Sequence, residues 1–171
     1  MKTRLIALFV ILSTTIFAQN SIDTVKGNPR SFRKFGIGIQ GMGPTIIGSI
    51  YLNYFATQNI NIELGTGLFG SYGGAKYYFG KKENKQLFSP YAGINIGTFK
   101  LPDPLIIIFG GELAWKRVYT VNLPLGVQLM TKNGFNFSVE GSFLFIHGNT
   151  ATGVPIKVTS PWGAIRIAKN F

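Results

Sequence analysis

The chain contains no cysteine. Disulfides, thiol chemistry and a lipid-bearing N-terminal cysteine are therefore excluded. Charge is scarce: 13% of residues are Asp, Glu, Lys or Arg, about half the share usual in a soluble domain. Acidic residues are the scarcest, 6 against 17 basic ones. With scattered carboxylates, one histidine and no thiol, no metal or other cofactor is expected. Long apolar runs are missing except near the N-terminus. There Lys2 and Arg4 precede the run Leu5 to Leu12, and Ala18 offers a small residue for cleavage. Residues 1–18 fit a cleaved secretory signal, since the run is short of the roughly 20 residues a spanning helix needs. Residues 19–32 are polar, contain Gly27 and Pro29, and show no period. They are expected to form a flexible leader.

What the chain has in abundance is alternation. From Arg33 onward, segments in which apolar and polar residues alternate follow one another, with breaks between them. Val121, Leu123, Leu125, Val127 and Leu129 share one parity, against Asn122, Pro124, Gly126 and Gln128. Beyond Asn133-Gly134, a hairpin signal, Phe135, Phe137, Val139, Phe143 and Phe145 oppose Asn136, Ser138, Glu140 and Ser142. The same period recurs in Phe35 to Gln40, Ser49 to Tyr54, Asn59 to Leu68, Tyr72 to Phe79, Pro90 to Phe99 and Trp162 to Phe171. Segments of about ten residues suit tilted strands crossing a bilayer. Strands in lipid must close on themselves, because an unpaired edge is costly there. The expected fold is all-β, an eight-stranded antiparallel up-and-down transmembrane β-barrel over residues 33–171. Short turns at Thr57-Gln58, near Lys81 and at Asn133-Gly134 would share one rim with both termini. Lys100 to Lys116 and His147 to Pro161 would then be long loops at the other rim. The apolar stretch Leu105 to Phe109 would extend a hairpin with Gly110-Gly111 near its tip, hold a partner or dip into lipid.

The polar parity should face inward, where an eight-stranded closure leaves room only for side chains. If Gly70-Ser71 sets the register, Glu63 and Lys76 lie diagonal on neighbouring strands. If Phe171 and Gly134 share a rim, Glu140 and Arg166 come nearly opposite. Two buried opposite-charge pairs are expected, as a structural network filling the lumen. Lys100, Lys116, Arg117 and Lys157 would ring the long-loop rim and could pair with phosphate groups there. The net charge of +11 would suit nucleic acid. With an export signal, however, it suits anionic lipid headgroups, and no nucleic-acid partner is expected.

The segments PYAGINIG (Pro90 to Gly97) and NLPLGVQL (Asn122 to Leu129), and the ending AIRIAKNF (Ala164 to Phe171), resemble strands of the small outer-membrane β-barrel proteins of Gram-negative bacteria. The resemblance spans Arg33 to Phe171. It implies an outer-membrane location, lipid and lipopolysaccharide contacts, and a C-terminal strand read by the barrel-insertion machinery through Phe171. Lys169 departs from the pattern, which favours an apolar residue on that outward parity. Some small barrels modify lipid A with His, Ser and acidic side chains. Here His147 lies about 16 Å along the strand from Ser142, beyond hydrogen-bond reach, and no catalytic residue is expected. The resulting expectation is a monomeric, non-enzymatic barrel of structural or surface-binding type. The rivals are a narrow channel or transporter, a lipid A-modifying enzyme, and a secreted soluble barrel with its apolar parity inward.

Overall fold

The computed structural model describes residues 28–45, 47–79, 88–102, 115–149 and 153–171. The expected signal peptide, the leader up to residue 27, the Lys81 region and the Leu105 to Gly111 stretch lie outside the described residues. Eight strands form a closed antiparallel barrel in which each pairs with its sequence neighbours and β8 pairs back onto β1. They are β1 (Phe35–Met42), β2 (Gly48–Phe55), β3 (Ile60–Gly67), β4 (Gly70–Tyr78), β5 (Phe88–Pro102), β6 (Trp115–Met130), β7 (Phe135–Asn149) and β8 (Pro155–Asn170). The closing seam runs from Gly36 opposite Asn170 to Met42 opposite Ala164. The start of β1 and the end of β8 lie at the rim that carries the turns at 56–59 and 131–134, as the parity of short turns predicts. In outer-membrane barrels the short-turn rim faces the periplasm.

The orientation of the two parities is the expected one. Ile39, Ile50, Leu64, Ile96, Leu125, Val139 and Ile165 are exposed on the outside. Gln40, Asn53, Glu63, Lys76, Asn95, Asn122, Gln128 and Arg166 are buried inside. Near the short-turn rim the outward positions become aromatic, with Phe35, Tyr54, Tyr77, Phe79, Phe88 and Phe135 all exposed. Such girdles mark the interfacial depth of a membrane barrel. The β6–β7 hairpin turns on Lys132 and Asn133, with Gly134 N–H donating to Thr131 O at 2.9 Å. Gly134 follows at φ +80°, the left-handed position that favours glycine in such hairpins.

Strand length corrects two sequence expectations. Strands β1–β4 have 8 or 9 residues, whereas β5–β8 have 15 or 16. The segment His147 to Pro161, expected as a loop, is mostly the continuation of β7 and β8, with His147 opposite Lys157 and Asn149 opposite Pro155. Likewise Lys100 to Lys116 is strand at both ends, with Lys100 opposite Arg117 and Leu101 opposite Lys116. The four long strands rise as a wall above the shorter half. Polarity exchanges faces along this wall. Above Ser142 the inward residues of β7 become Leu144 and Ile146, while the outward ones, after Phe143 and Phe145, become His147 and Asn149. A strand leaving lipid no longer gains by turning its apolar side outward, and this exchange hides the strand from a reading based on constant parity.

Inside, bulky rings are accommodated by glycine on the adjacent strand. Tyr51 lies opposite Gly38, Tyr72 opposite Gly65 and Tyr91 opposite Gly126. A Cβ on Gly126 would sit 2.8 Å from Tyr91 Cζ, whereas one on Gly141, facing out, would meet nothing within 4 Å. Gly126→Val should therefore destabilise the folded barrel by roughly 1–3 kcal/mol, and Gly141→Val should leave it unchanged. Urea unfolding in lipid vesicles checks this, and equal effects would contradict a packed lumen.

Candidate functional site

Four charged side chains meet in the middle of the lumen. Alternation turns each of them inward: Glu63 from β3, Lys76 from β4, Glu140 from β7 and Arg166 from β8. All four are essentially removed from solvent, Arg166 being the most exposed at 4%. Isolated charges would be expelled from such a place, so each must be paired. The pairing differs from the sequence expectation in its partners. The short contacts cross the lumen: Lys76 Nζ lies 2.7 Å from Glu140 Oε2, and Arg166 Nη2 lies 2.7 Å from Glu63 Oε2. The expected pairs, Lys76 with Glu63 and Arg166 with Glu140, are present but longer, at 3.6 Å each, and Arg166 lies opposite Ser138, diagonal to Glu140. The result is a neutral quartet rather than two separate pairs.

Rings and hydroxyls complete the surroundings. Tyr91 Oη donates to Glu140 Oε2 at 2.7 Å. Arg166 stacks over the Tyr51 ring at 4.1 Å, and Lys76 lies 4.8 Å from the centre of Tyr91. Cations held against ring faces in this way gain on the order of 2 kcal/mol when desolvated. Above the quartet, both polar atoms of the Asn122 side chain, Ser142 Oγ and Glu140 Oε1 have no protein partner among the described residues.

The lumen is also occupied above and below. At the upper mouth the chain leaves β1 through Met42, at φ +64°, and Gly43, at φ +82°. It then folds inward as a single helical turn, Gly43–Thr45, whose residues are all buried. Phe99 and Val118 face each other across β5 and β6 at this level and are buried as well. At the lower mouth Phe55, Tyr78, Tyr91 and Met130 form a buried cluster. Beneath it sits α1 (Pro29–Phe32), opened by Asn28 as its cap and Pro29 at the first helical position. This part of the expected flexible leader is therefore fixed. Arg30 points upward into the barrel, its guanidinium 4.2 Å from the Tyr78 ring centre. Desolvation pulls its pKa below the ordinary arginine value, yet guanidinium remains charged at any physiological pH. Nothing in the aperiodic leader announced this contact, although Tyr78 and Gln128 were legible as inward residues.

The remaining sequence candidates lie on the outer face or at the rims. Lys100 and Arg117 are exposed and directly opposite each other on β5 and β6. They line one side of a recess of about 330 Å³ whose other walls come from Thr66 to Ser71. Lys157 is exposed on β8 opposite His147. Lys116 lies on β6, but its side chain is outside the described residues. His147 faces outward while Ser142 and Glu140 face inward, so the three are on opposite sides of the wall. Phe171 closes the chain, its N–H donating to Phe35 O at 2.7 Å. Lys169 is on the outward parity, as expected, and donates to Asn133 O at 2.6 Å. Among the described residues no group of acidic, histidine or cysteine side chains could hold a metal.

Removing one member of the quartet should be costly and removing a matched pair less so. Lys76→Met strands Glu140 and should lower stability by roughly 3–5 kcal/mol. Adding Glu140→Gln to it should recover much of that loss. Chemical denaturation of both variants in vesicles checks the pattern, and additive losses would contradict a coupled quartet.

No protein-family model matches the chain, and no curated protein matches it. Solved structures similar to it include the N-terminal β-barrel domain of Pseudomonas aeruginosa OprF. That domain superposes with a TM-score of 0.58 at 14% identity, over 85% of this chain and 99% of the domain. Outer membrane protein AlkL, solved in DMPC bilayers, gives a TM-score of 0.34 at 13% identity, over 81% of this chain and 88% of that one. The second value is too low to carry an argument. A closed barrel with an apolar exterior and a polar, filled interior is built to sit in a bilayer. The chain has the fold of the small eight-stranded outer-membrane β-barrel proteins.

Proposed function

We propose that this outer-membrane barrel acts as a closed structural or surface-binding protein, monomeric, non-enzymatic and without a cofactor. The observation that carries the reading is the obstruction of the lumen at three levels. Arg30 and its aromatic seat fill the lower mouth, the Glu63–Lys76–Glu140–Arg166 quartet the middle, and Gly43–Thr45 with Phe99 and Val118 the top. A solute path would have to disrupt all three. Contacts with other molecules then fall to the outer surface, and the tall wall of β5–β8 offers most of it above the lipid. On that wall Lys100, Lys116, Arg117 and Lys157 belong to rows that cross β5, β6 and β8 beyond the apolar belt. Lipopolysaccharide phosphates are the anionic groups these cations would meet, and each such charge contributes roughly 1 kcal/mol near an anionic surface. Insertion through the C-terminal strand ending in Phe171 is part of the same proposal.

Purified protein in planar bilayers should give no conductance steps above the lipid baseline. Sustained openings of the unmodified protein would overturn the closed-lumen reading in favour of a channel. Replacing Lys100, Lys116, Arg117 and Lys157 with Gln should leave assembly intact and weaken lipopolysaccharide binding more than tenfold. Unchanged affinity would remove the headgroup contact.

A further inference from the structure

The stopper at the lower mouth has an unusual chemistry for a permanent part of the wall. Arg30 is 5% exposed, yet no described carboxylate lies within ion-pairing distance of it. Among the described residues its charge is met by neutral groups alone. Nε and Nη2 donate to the single oxygen Gln128 Oε1 at 3.1 and 3.0 Å. The guanidinium plane is 4.2 Å from the centre of Tyr78 and 5.7 Å from that of Phe55. Gln128 is held in place by its own donation to Tyr78 Oη at 3.0 Å. Tyr78 in turn packs on Phe55 and Tyr91, with ring centres 5.5 and 5.0 Å away. These seat residues come from β2, β4, β5 and β6, so the barrel builds the seat without help from the segment that fills it. The segment that fills it, 28–33, is six residues long. Arg33 Nε donates to Lys132 O at 2.7 Å, and Phe55 N–H donates to Lys34 O at 2.8 Å. The quartet above is neutral, so it neither demands nor repels a further cation.

A planar cation on ring faces with a carbonyl acceptor in its plane is how proteins recognise guanidinium groups. An unpaired ammonium would lack the ring stacking, and a neutral planar molecule would lack the attraction to the rings. We propose that the lower mouth is a guanidinium-binding site formed by Gln128, Tyr78 and Phe55, occupied in the intact chain by its own Arg30. The segment 28–33 is then an exchangeable stopper, and guanidinium compounds arriving from the short-turn side compete with it. This inference rests on the closed-lumen reading for its meaning, since the stopper is one of the three obstructions.

The test uses the full barrel in lipid vesicles, methylguanidinium as probe and methylurea as its neutral planar counterpart. Arg30→Ala should bind methylguanidinium saturably and at least tenfold more tightly than the unmodified protein, and should ignore methylurea. Adding Tyr78→Leu should abolish that binding. Equal binding with and without Arg30, or binding indifferent to Tyr78, would overturn the proposal. A second measurement leaves Arg30 in place. A spin label on Ser31→Cys, unique because the chain has no other cysteine, should gain mobility with methylguanidinium and not with methylurea. An unresponsive label would overturn exchange even if Arg30→Ala fails to fold. Silent bilayers with no guanidinium binding would remove the seat alone, whereas a conducting unmodified barrel with binding intact would remove the closed-lumen reading alone.

Discussion

An unpaired backbone N–H or C=O in hydrocarbon costs several kcal/mol, and the whole architecture follows from avoiding that cost. Strands in lipid must pair on both edges, and here β8 returns to β1 to close the ladder. Closure at eight strands leaves an interior the width of side chains. Every inward residue is then committed to a crowded, low-dielectric space. Glycine must face tyrosine across the strand pairs, and charges must find opposite charges. The quartet is thus a consequence of closure as much as a functional device.

Above the lipid the constraint is lifted, and the chain shows it. Strands β1–β4 end after 8 or 9 residues, while β5–β8 continue to 15 or 16. Among the described residues β8 has a free edge above Gly163, where it pairs with β7 and no longer with β1. Pro155, Lys157 and Pro161 are exposed on that stretch. Proline lacks a donor and lysine resists burial, so the edge is protected against pairing with another chain.

The strand order, the inward faces and the location of Glu63, Lys76, Glu140 and Arg166 were legible in the sequence, because a period of two maps directly onto the two sides of a strand. Which carboxylate meets which cation was not. Diagonal neighbours such as Glu63 and Lys76 follow from local register, but the shorter contact between Lys76 and Glu140 depends on how the sheet curls across its own lumen. The upper parts of β7 and β8 read as loop in the sequence because residues such as Ile156, Val158 and Lys157 reverse the polarity rule that holds in lipid. Arg30 was invisible for a different reason: a single helical turn carries no period, and its partners lie far away in sequence.

The account depends on the apolar parity facing acyl chains. A single cysteine at Val127 gives a unique labelling site in a chain that has none of its own, at a position 46% exposed on the outer face. In vesicles, a spin label there should collide more often with dissolved oxygen than with a water-soluble nickel complex. Preferential collision with the nickel complex would contradict the account.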